Sequence, residues 1–208
     1  MKLKQRVAAF AKLGIYLHQL ASNEKNDTDF GGLNTLYFSQ AQQLFASVKL
    51  QNGWFTENNV RNSILAIADM LQEKHLVNWV GNYPIADSSD AKRIGIVMAG
   101  NIPLVGFHDF LSVLISGNCA VIKLSSDDAL LLPMLVKILC SIEPGFVSQV
   151  DFSVGGLKNI DAVIATGSGN TARYFEYYFS KMPSLIRKNR NSLAVLDGNE
   201  EPEELTKL

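Results

Sequence analysis

Cysteine and histidine are scarce in this sequence. Its 208 residues include two cysteines, Cys119 and Cys140, and three histidines, with no CxxC pair and no histidine cluster. This composition argues against a zinc site and against a disulfide framework. Two isolated cysteines are typical of a reducing compartment, so we expect a cytoplasmic location. We expect both thiols to serve in packing.

The chain also lacks an excess of charge of either sign. Nineteen lysines and arginines stand against 20 acidic residues, for a formal net charge of −1. The one basic cluster, "IRKNRN" at 186–191, has no aromatic residues beside it on which bases could stack. We interpret the cluster as a solvated face and expect no nucleic-acid partner.

No apolar run is long enough to span a bilayer. The longest, "IPLVGFHDFLSVLI", is interrupted by His108 and Asp109. The N-terminus, "MKLKQRVAAFAKLGIYL", begins like a signal peptide, but Lys12 interrupts its apolar residues and no clean cleavage site follows. We therefore predict an amphipathic first helix and no membrane span.

The predicted secondary structure changes at a turn-rich connector, residues 82–92, from helices alone to alternating strands and helices. We predict an N-terminal helical region over 1–90 and a Rossmann-like, mostly parallel α/β domain over 91–208, because strands alternate with helices after the connector. The predicted helices are 3–21, 34–48, 57–80, 104–117, 127–142 and 169–181. The predicted strands are 93–100, 119–125, 150–154, 161–166 and 192–197.

One of these helices carries two specific expectations. Asp127 and Asp128 fall in the first predicted turn of helix 127–142, where the helix dipole stabilises negative charge. Pro133 lies inside the helical pattern, and we expect it to kink or reset the helix.

Three predicted strands end in residues that can bind a ligand. Open parallel sheets bind ligands beyond the carboxyl ends of their strands, which directs attention to "AGNIP", "KLSS" and "TGSGN". The amide of Asn101 can project into that crevice or hydrogen-bond to its own loop. Lys123 ends a buried apolar run and needs either solvent or a partner such as a ribose or phosphate. Ser168 and the adjacent N–H groups at a helix start can hold a phosphate.

The third stretch also fits a dinucleotide-binding pattern. Gly167, Gly169 and Ala172 satisfy G-x-G-x-x-A. The motif lies late in the chain, however, and the acidic residue expected about 20 positions further on is missing. An ordinary dinucleotide domain that uses 167–172 as its pyrophosphate cradle is therefore a lesser alternative.

Taken together, the stretches resemble a known superfamily. The segment from "IGIVMAGNIP" through "GNCAVIKLSS" resembles the cofactor-binding domain of aldehyde dehydrogenases, and "TGSGNTARYF" is similar to their later Thr-Gly-Ser turn. "NGWFTENNVRNSILAIADML" and "NSLAVLDGNE" resemble the acyl-CoA reductase branch, related to the fatty acid reductase of bacterial bioluminescence. The resemblance extends from about residue 36 to the end.

The resemblance implies roles for individual residues. It implies that Asn101 holds the substrate carbonyl or its oxyanion, as a catalytic residue. It assigns cofactor binding to the turns after two strands, with Lys123 on the adenosine ribose and Ser168 near the pyrophosphate; the remaining members of these turns are Ser125, Ser126, Thr166 and Gly167.

The expected cofactor is NADPH, with NADH as the alternative. Ser126 stands where many NAD-preferring relatives carry a glutamate, so a 2′-phosphate would not be repelled there. Asp127 and Asp128 lie close by in sequence, which keeps NADH open.

Two departures from the ordinary aldehyde dehydrogenase pattern shape the functional expectation. The region "LIRKNRNSLAVLD" has no counterpart of the glutamate that activates the hydrolytic water, which is what a reductase requires. In this family the nucleophilic cysteine follows the "LDGNE" strand by a few tens of residues, and this sequence ends at Leu208. We therefore expect a cofactor-binding portion that lacks the attacking thiol.

The resulting hypothesis is an NADPH-dependent reductase that converts an acyl-CoA or acyl-protein thioester to an aldehyde through an acyl-cysteine. Members of the superfamily often dimerise, so the resemblance also admits a homo-oligomer. The alternative is a non-catalytic nucleotide-binding or scaffold module that retains the sheet.

Overall fold

The computed structural model describes residues 1–26, 30–85, 87, 90–188, 193–196, 198 and 201–205. The first part of the chain is helical. A π-helical turn, Asn34–Phe38, leads directly into the second helix, and a 3₁₀ turn, Val48–Leu50, follows it. The helices are α1 (Leu3–Ser22), α2 (Ser39–Ser47), α3 (Glu57–Met70) and α4 (Glu73–Val80).

The prediction of a single helix over 57–80 is wrong in one respect, because this segment forms two helices, α3 and α4. The hydroxyl of Thr56 caps α3 by accepting from the N–H of Asn59 at 3.2 Å. The chain turns at Gln72, whose ψ of 133° is extended rather than helical. This change of direction buries both Leu71 and Leu76, which a continuous helix would place on different faces.

The second part is an α/β sheet, as the sequence predicts. Five parallel strands lie in the order β3-β2-β1-β4-β5. They are β1 (Arg93–Val97), β2 (Cys119–Lys123), β3 (Val150–Phe152), β4 (Ala162–Thr166) and β5 (Ser184–Arg187). The helices between and after them are α5 (Phe107–Ile115), α6 (Leu131–Ile142), α7 (Gly169–Tyr178) and α8 (Pro202–Leu205).

The start of α6 differs from the expectation. Asp127 and Asp128 belong to a separate 3₁₀ turn, Ser126–Asp128, and not to the first turn of the helix. The helix begins at Leu131, which places Pro133 in its first turn. No intrahelical bond needs the missing N–H there, so the proline causes no kink.

The last predicted strand lies elsewhere. Residues 193–196, the described part of the predicted strand 192–197, adopt no regular structure. The fifth strand is instead Ser184–Arg187, which pairs in parallel with β4. It is an edge strand with little buried surface, so it lacks the apolar run by which a strand is recognised in sequence.

One hydrophobic core joins the two parts of the chain. Its buried residues extend without a break from α1 through α4 into the sheet, α5 and α6. The ring of Phe10 in α1 packs edge-on against Phe110 in α5 and Phe146 after α6, with centroids 6.3 and 5.4 Å apart. The helical part therefore covers one face of the α/β unit.

A buried arginine fixes the start of α1 to the end of α5. The Nε of Arg6 donates to the carbonyl of Ile115 at 2.9 Å, and its Nη1 donates to the carbonyl of Met1. Gly117, at φ +90°, lies beside that guanidinium, because a Cβ added to it would be 3.2 Å from the Arg6 Nη1. The carbonyl of Ile115, at the C-terminal end of α5, is thus satisfied by a cation, which the helix dipole favours.

The tightest contact between α1 and the helices below it involves Gly14. A Cβ added to this glycine would lie 2.7 Å from the Cβ of Leu71 and 3.2 Å from the carbonyl oxygen of Ala68. A side chain at this position would therefore force the two helices apart.

We predict that Gly14→Ala destabilises the protein by about 1–3 kcal/mol through this overpacking, although alanine is the better helix former. Urea denaturation followed by circular dichroism measures the change. Gly53→Ala, at an exposed glycine with open space around it, is the control and should alter the free energy of unfolding little. Equal effects of the two substitutions would contradict the close contact.

Candidate functional site

The three predicted ligand-binding turns lie side by side at one edge of the sheet. They follow β2, β1 and β4, which are neighbours in that order. The chain turns to opposite sides of the sheet from β1 and β4, so the crevice between their carboxyl ends is the topological switch point where such sheets bind ligands. The late position of "TGSGN" in the sequence is thus compatible with a central place in the fold.

A buried carboxylate positions the loop that carries Asn101. The Oδ2 of Asp128 accepts from the backbone N–H of Leu104 at 2.7 Å, and Asp128 is only 6% exposed. Leu104 has φ +59°, in the left-handed region that few side chains tolerate. Burial raises the pKa of Asp128, and the hydrogen bond from Leu104 opposes that rise. The turn after β2 therefore holds the loop after β1 in a strained conformation.

Asn101 itself is exposed in this loop. Its side-chain amide has no hydrogen-bond partner in the part of the chain that the structure describes, so the amide is available to a ligand. The alternative prediction, an asparagine bonded to its own loop, is not what the geometry shows.

Lys123 stands at the carboxyl end of β2 with its ammonium against a glycine loop. Its Nζ donates to the carbonyl of Gly155 at 3.2 Å, and Ser153 closes the same loop by donating to Gly156. The side chain is exposed. One backbone carbonyl leaves two ammonium protons to donate, which suits a ribose hydroxyl or phosphate oxygen.

The serines after β2 are placed differently from each other. Ser125 is half-buried, and its hydroxyl accepts from the N–H of Asp127 at 3.3 Å. Gly100 comes so close to it that an added Cβ would lie 2.5 Å from the Ser125 Oγ. Ser126 is exposed and its hydroxyl lies 3.3 Å from the Asp127 carboxylate. Ser125 thus packs against the Asn101 loop, whereas Ser126 faces solvent.

The turn after β4 leads directly into a capped helix. The Oγ of Ser168 accepts from the N–H of Thr171 at 3.4 Å and lies 3.0 Å from the Thr171 hydroxyl. The N–H of Gly167 donates to the carbonyl of Arg187, so β5 and not a ligand uses that group. Thr166 is the last residue of β4 and is half-buried. Ser168 therefore has a structural role as N-cap beside its predicted role at a phosphate.

An ion pair that the sequence analysis missed spans the same edge. Nη1 of Arg187, the last residue of β5, lies 2.6 and 2.5 Å from the two carboxylate oxygens of Asp109 in the first turn of α5. The Asp109 side chain is 7% exposed and that of Arg187 36%. We interpreted "IRKNRN" as a solvated face, and for Arg187 that is wrong. The signal available in sequence was the lone acid inside an otherwise apolar helix.

Both cysteines lie away from this edge. Cys119 is the first residue of β2 and so stands at the amino end of the sheet, opposite the candidate site. Cys140 lies near the C-terminal end of α6, and burial raises the pKa of its thiol. Neither is placed to act as a nucleophile at the switch point.

The ring of His108, in the first turn of α5, contacts an aromatic ring of α4. Its ring lies 5.6 Å from that of Trp79 in α4. The two rings line an apolar groove of about 350 Å³ between α4 and α5.

Comparison with known proteins identifies relatives of this arrangement. The family described as acyl-CoA reductase (LuxC) matches residues 43–198. None of the curated proteins matches the chain.

Solved structures share the fold at low sequence identity. Aldehyde dehydrogenase 21 from Physcomitrella patens, in complex with the reaction product succinate, is 16% identical with a TM-score of 0.65; the match covers 92% of this chain and 41% of that one. An NAD-dependent benzaldehyde dehydrogenase from Corynebacterium glutamicum is 13% identical with a TM-score of 0.62, covering 89% and 41%. The chain thus spans about two fifths of the length of these structures, and they establish its aldehyde dehydrogenase fold.

The described part of the chain contains no helix long and apolar enough to cross a membrane.

The buried carboxylate yields a pH-dependent prediction. The raised pKa of Asp128 means that folding favours its protonated form. The resulting contribution to the free energy of unfolding is complete below the unfolded-state pKa and is lost as pH rises through the folded-state pKa. We expect the free energy of unfolding of Asp128→Asn, relative to wild type, to increase between about pH 4 and pH 7. Urea denaturation across this range measures it.

Asp127→Asn, which removes the exposed neighbouring carboxylate, is the control for net charge. If both variants show the same pH profile, the effect does not come from burial of Asp128. Asp128→Ala also removes the acceptor for the Leu104 N–H and should cost about 1–3 kcal/mol at the acidic end of this range, where the wild-type contribution is complete.

The ion pair yields a second prediction. Because Asp109 is largely desolvated, a double-mutant cycle of Asp109→Asn and Arg187→Gln should give a coupling free energy of at least about 1 kcal/mol. The exposed pair Lys188–Glu176, with side chains 56% and 47% exposed, is the matched control and should give about 0.5 kcal/mol or less. Chemical denaturation measures both cycles, and equal couplings would contradict a special role for Arg187.

Proposed function

The chain belongs to the acyl-CoA reductase (LuxC) family, and we propose that it forms the NADPH-binding portion of an enzyme that reduces an acyl thioester to an aldehyde. The family and fold support an oxidoreductase that acts on aldehydes or acyl groups. The observation that carries the finer proposal is the row of three turns at the switch point. It offers a cation, hydroxyl groups and an unpaired amide, carried by Lys123, Ser126, Ser168 and Asn101.

The donor set fits a nicotinamide dinucleotide. Lys123 is exposed with protons to donate, and the start of α7 presents backbone N–H groups to an anion. We propose that Lys123 holds the adenosine ribose, together with the turn of Ser125 and Ser126. The turn of Thr166, Gly167 and Ser168 would lie along the pyrophosphate. When bound, the nicotinamide supplies a hydride.

Two features bear on the choice between NADPH and NADH. Ser126 is exposed and uncharged, so it leaves room for a 2′-phosphate. Of the two nearby acids, Asp128 is buried against Leu104 and so does not face the nucleotide. Asp127 is exposed next to Ser126, and its negative charge favours NADH. We propose NADPH as the preferred cofactor.

Asn101 supplies the catalytic group that this chain contributes. As a thiolate attacks the thioester carbonyl, negative charge develops on the oxygen. A fixed amide N–H that donates to that oxygen stabilises the transition state more than the ground state. Asp128 binds the loop of Asn101 at Leu104 and so restrains the backbone that carries the amide.

The attacking thiol would have to come from elsewhere in a longer protein, because Cys119 and Cys140 lie far from this edge. An acyl-cysteine formed there would be hydrolysed if a base activated a nearby water molecule. The candidate edge carries Arg187 where β5 ends, and a guanidinium cannot act as a general base near neutral pH. This supports reduction rather than hydrolysis of the acyl group.

A non-catalytic nucleotide-binding or scaffold module is the second candidate. The observation that favours it is the distance of both thiols from the crevice. It predicts nucleotide binding without any thioester chemistry.

We further propose that the substrate is an acyl-CoA or acyl-protein thioester and that the protein is cytoplasmic. Two free cysteines suit a reducing compartment. A homo-oligomer is compatible with the exposed apolar side chains of α7 and β5, such as Tyr177 and Leu185.

Nucleotide titration tests the proposal. We expect NADPH to bind the 208-residue chain more tightly than NADH, and Lys123→Ala to weaken both by about tenfold through loss of a charged hydrogen bond. Ser126→Glu should weaken NADPH alone, because its carboxylate repels the 2′-phosphate. Isothermal titration calorimetry measures the affinities.

Lys137→Ala, at an exposed lysine on α6, is the matched control and should change neither affinity. Absence of binding by both nucleotides would refute the proposed cofactor site. Covalent labelling of this chain by a reactive acyl thioester, at full stoichiometry and dependent on Cys119 or Cys140, would refute the proposal that the attacking thiol lies elsewhere.

A further inference from the structure

A loop from the helical part of the chain reaches the candidate site. Residues 51–54, "QNGW", connect the 3₁₀ turn after α2 to the start of α3. The Nε2 of Gln51 donates to the carbonyl of Ser126 at 2.7 Å, and the Nδ2 of Asn52 donates to the carbonyl of Gly100 at 3.2 Å. One short loop is therefore bonded to the turns after both β2 and β1.

The backbone of this loop is fixed independently of any ligand. The N–H of Trp54 donates to the Oδ1 of Asn52 at 3.0 Å, and the carbonyl of Trp54 accepts from the Nδ2 of Asn59 at 2.8 Å. Phe55, the next residue, is completely buried. The loop is thus anchored on both sides of the tryptophan.

The Trp54 indole takes no part in that anchoring. It is 80% exposed, although its neighbours hold its backbone rigidly. Together with Asn101 and Asp127 it lines an open cleft of about 550 Å³, whose remaining walls are Gln51, Asn52, Gly53 and Gly100. A rigidly held, exposed indole beside an unpaired amide is a surface prepared for a ligand.

The polar groups of the cleft can pair with a ligand that carries amides. The Oε1 of Gln51 and the side chain of Asn101 have no hydrogen-bond partners within the described residues. The carboxylate of Asp127 accepts N–H donors. The indole face packs against a flat, weakly polar group.

We propose that Trp54, Gln51 and Asp127 form the subsite for the pantetheine arm of the thioester, next to Asn101. This inference rests on the proposed function, in which Asn101 contacts the thioester carbonyl. The arm joins the thioester sulfur through two amide groups to its carrier, and it is the same in CoA and in acyl carrier proteins. Its amides match the acceptors and donors of the cleft.

The test uses pantetheine, CoA and a holo acyl carrier protein as separate probes of the 208-residue chain, with affinities measured by isothermal titration calorimetry. Trp54→Ala should weaken all three by about fivefold, because it removes the aromatic contact. Trp54→Phe should recover part of the loss. Tyr177→Ala removes an aromatic side chain of matched exposure, 78%, on α7 and should change none of the three.

NADPH titration separates this inference from the proposed function. Trp54→Ala should leave the NADPH affinity unchanged, and a loss of NADPH binding in this variant would instead place the loop at the cofactor. Absence of pantetheine binding to the wild-type chain overturns the subsite even where NADPH binds normally. A loss confined to CoA also overturns it, since the indole would then contact the nucleotide and not the arm.

Discussion

The candidate site depends on one hydrogen bond, from the backbone N–H of Leu104 to the buried carboxylate of Asp128. It connects the loop after β1, which carries Asn101, to the turn after β2, which carries Ser125 and Ser126. Without this bond, the N–H of Leu104 would lose its partner, and the strained left-handed conformation of Leu104 would lose the contact that stabilises it. Burial of a carboxylate is costly, and here the buried group maintains the geometry of two candidate ligand-binding turns.

The helical part of the chain stabilises the same two turns from the other side. Gln51 and Asn52 donate to the carbonyls of Ser126 and Gly100. Asp128 separately accepts from the N–H of Leu104. The core that joins α1 to α5 and α6 keeps the helical part in register with the sheet. The division at residue 90 is a useful description of the sequence, but the site draws residues from both sides of it.

Periodicity predicted most of the elements, because α1 and the central strands bury continuous apolar faces. It failed at β5, whose residues are mostly exposed, and at the start of α6, where Pro133 and two acids fit either a helix or a turn. Both failures occur where local propensity is weak and tertiary contacts decide the conformation. Strand β5 forms because β4 offers it an open edge, and no pattern in "SLIR" records that edge.

The site residues divide along the same line. Asn101, Lys123 and Ser168 could be singled out because strand ends in a parallel sheet share one edge, a rule that needs only the order of elements. Asp128 and the Asp109–Arg187 pair could not, because their partners lie 24 and 78 residues away in sequence. A lone acid in an apolar helix indicates that a partner exists without saying which one.

The Asp109–Arg187 pair also constrains the chemistry at this edge. Arg187 is held by a carboxylate that is nearly out of solvent, so the pair is expensive to separate and the guanidinium stays in place. A fixed cation beside the switch point stabilises negative charge and offers no lone pair to take a proton from water. Arg187 itself therefore cannot act as the base that would hydrolyse an acyl group held at this edge, which is consistent with the proposed reduction to an aldehyde.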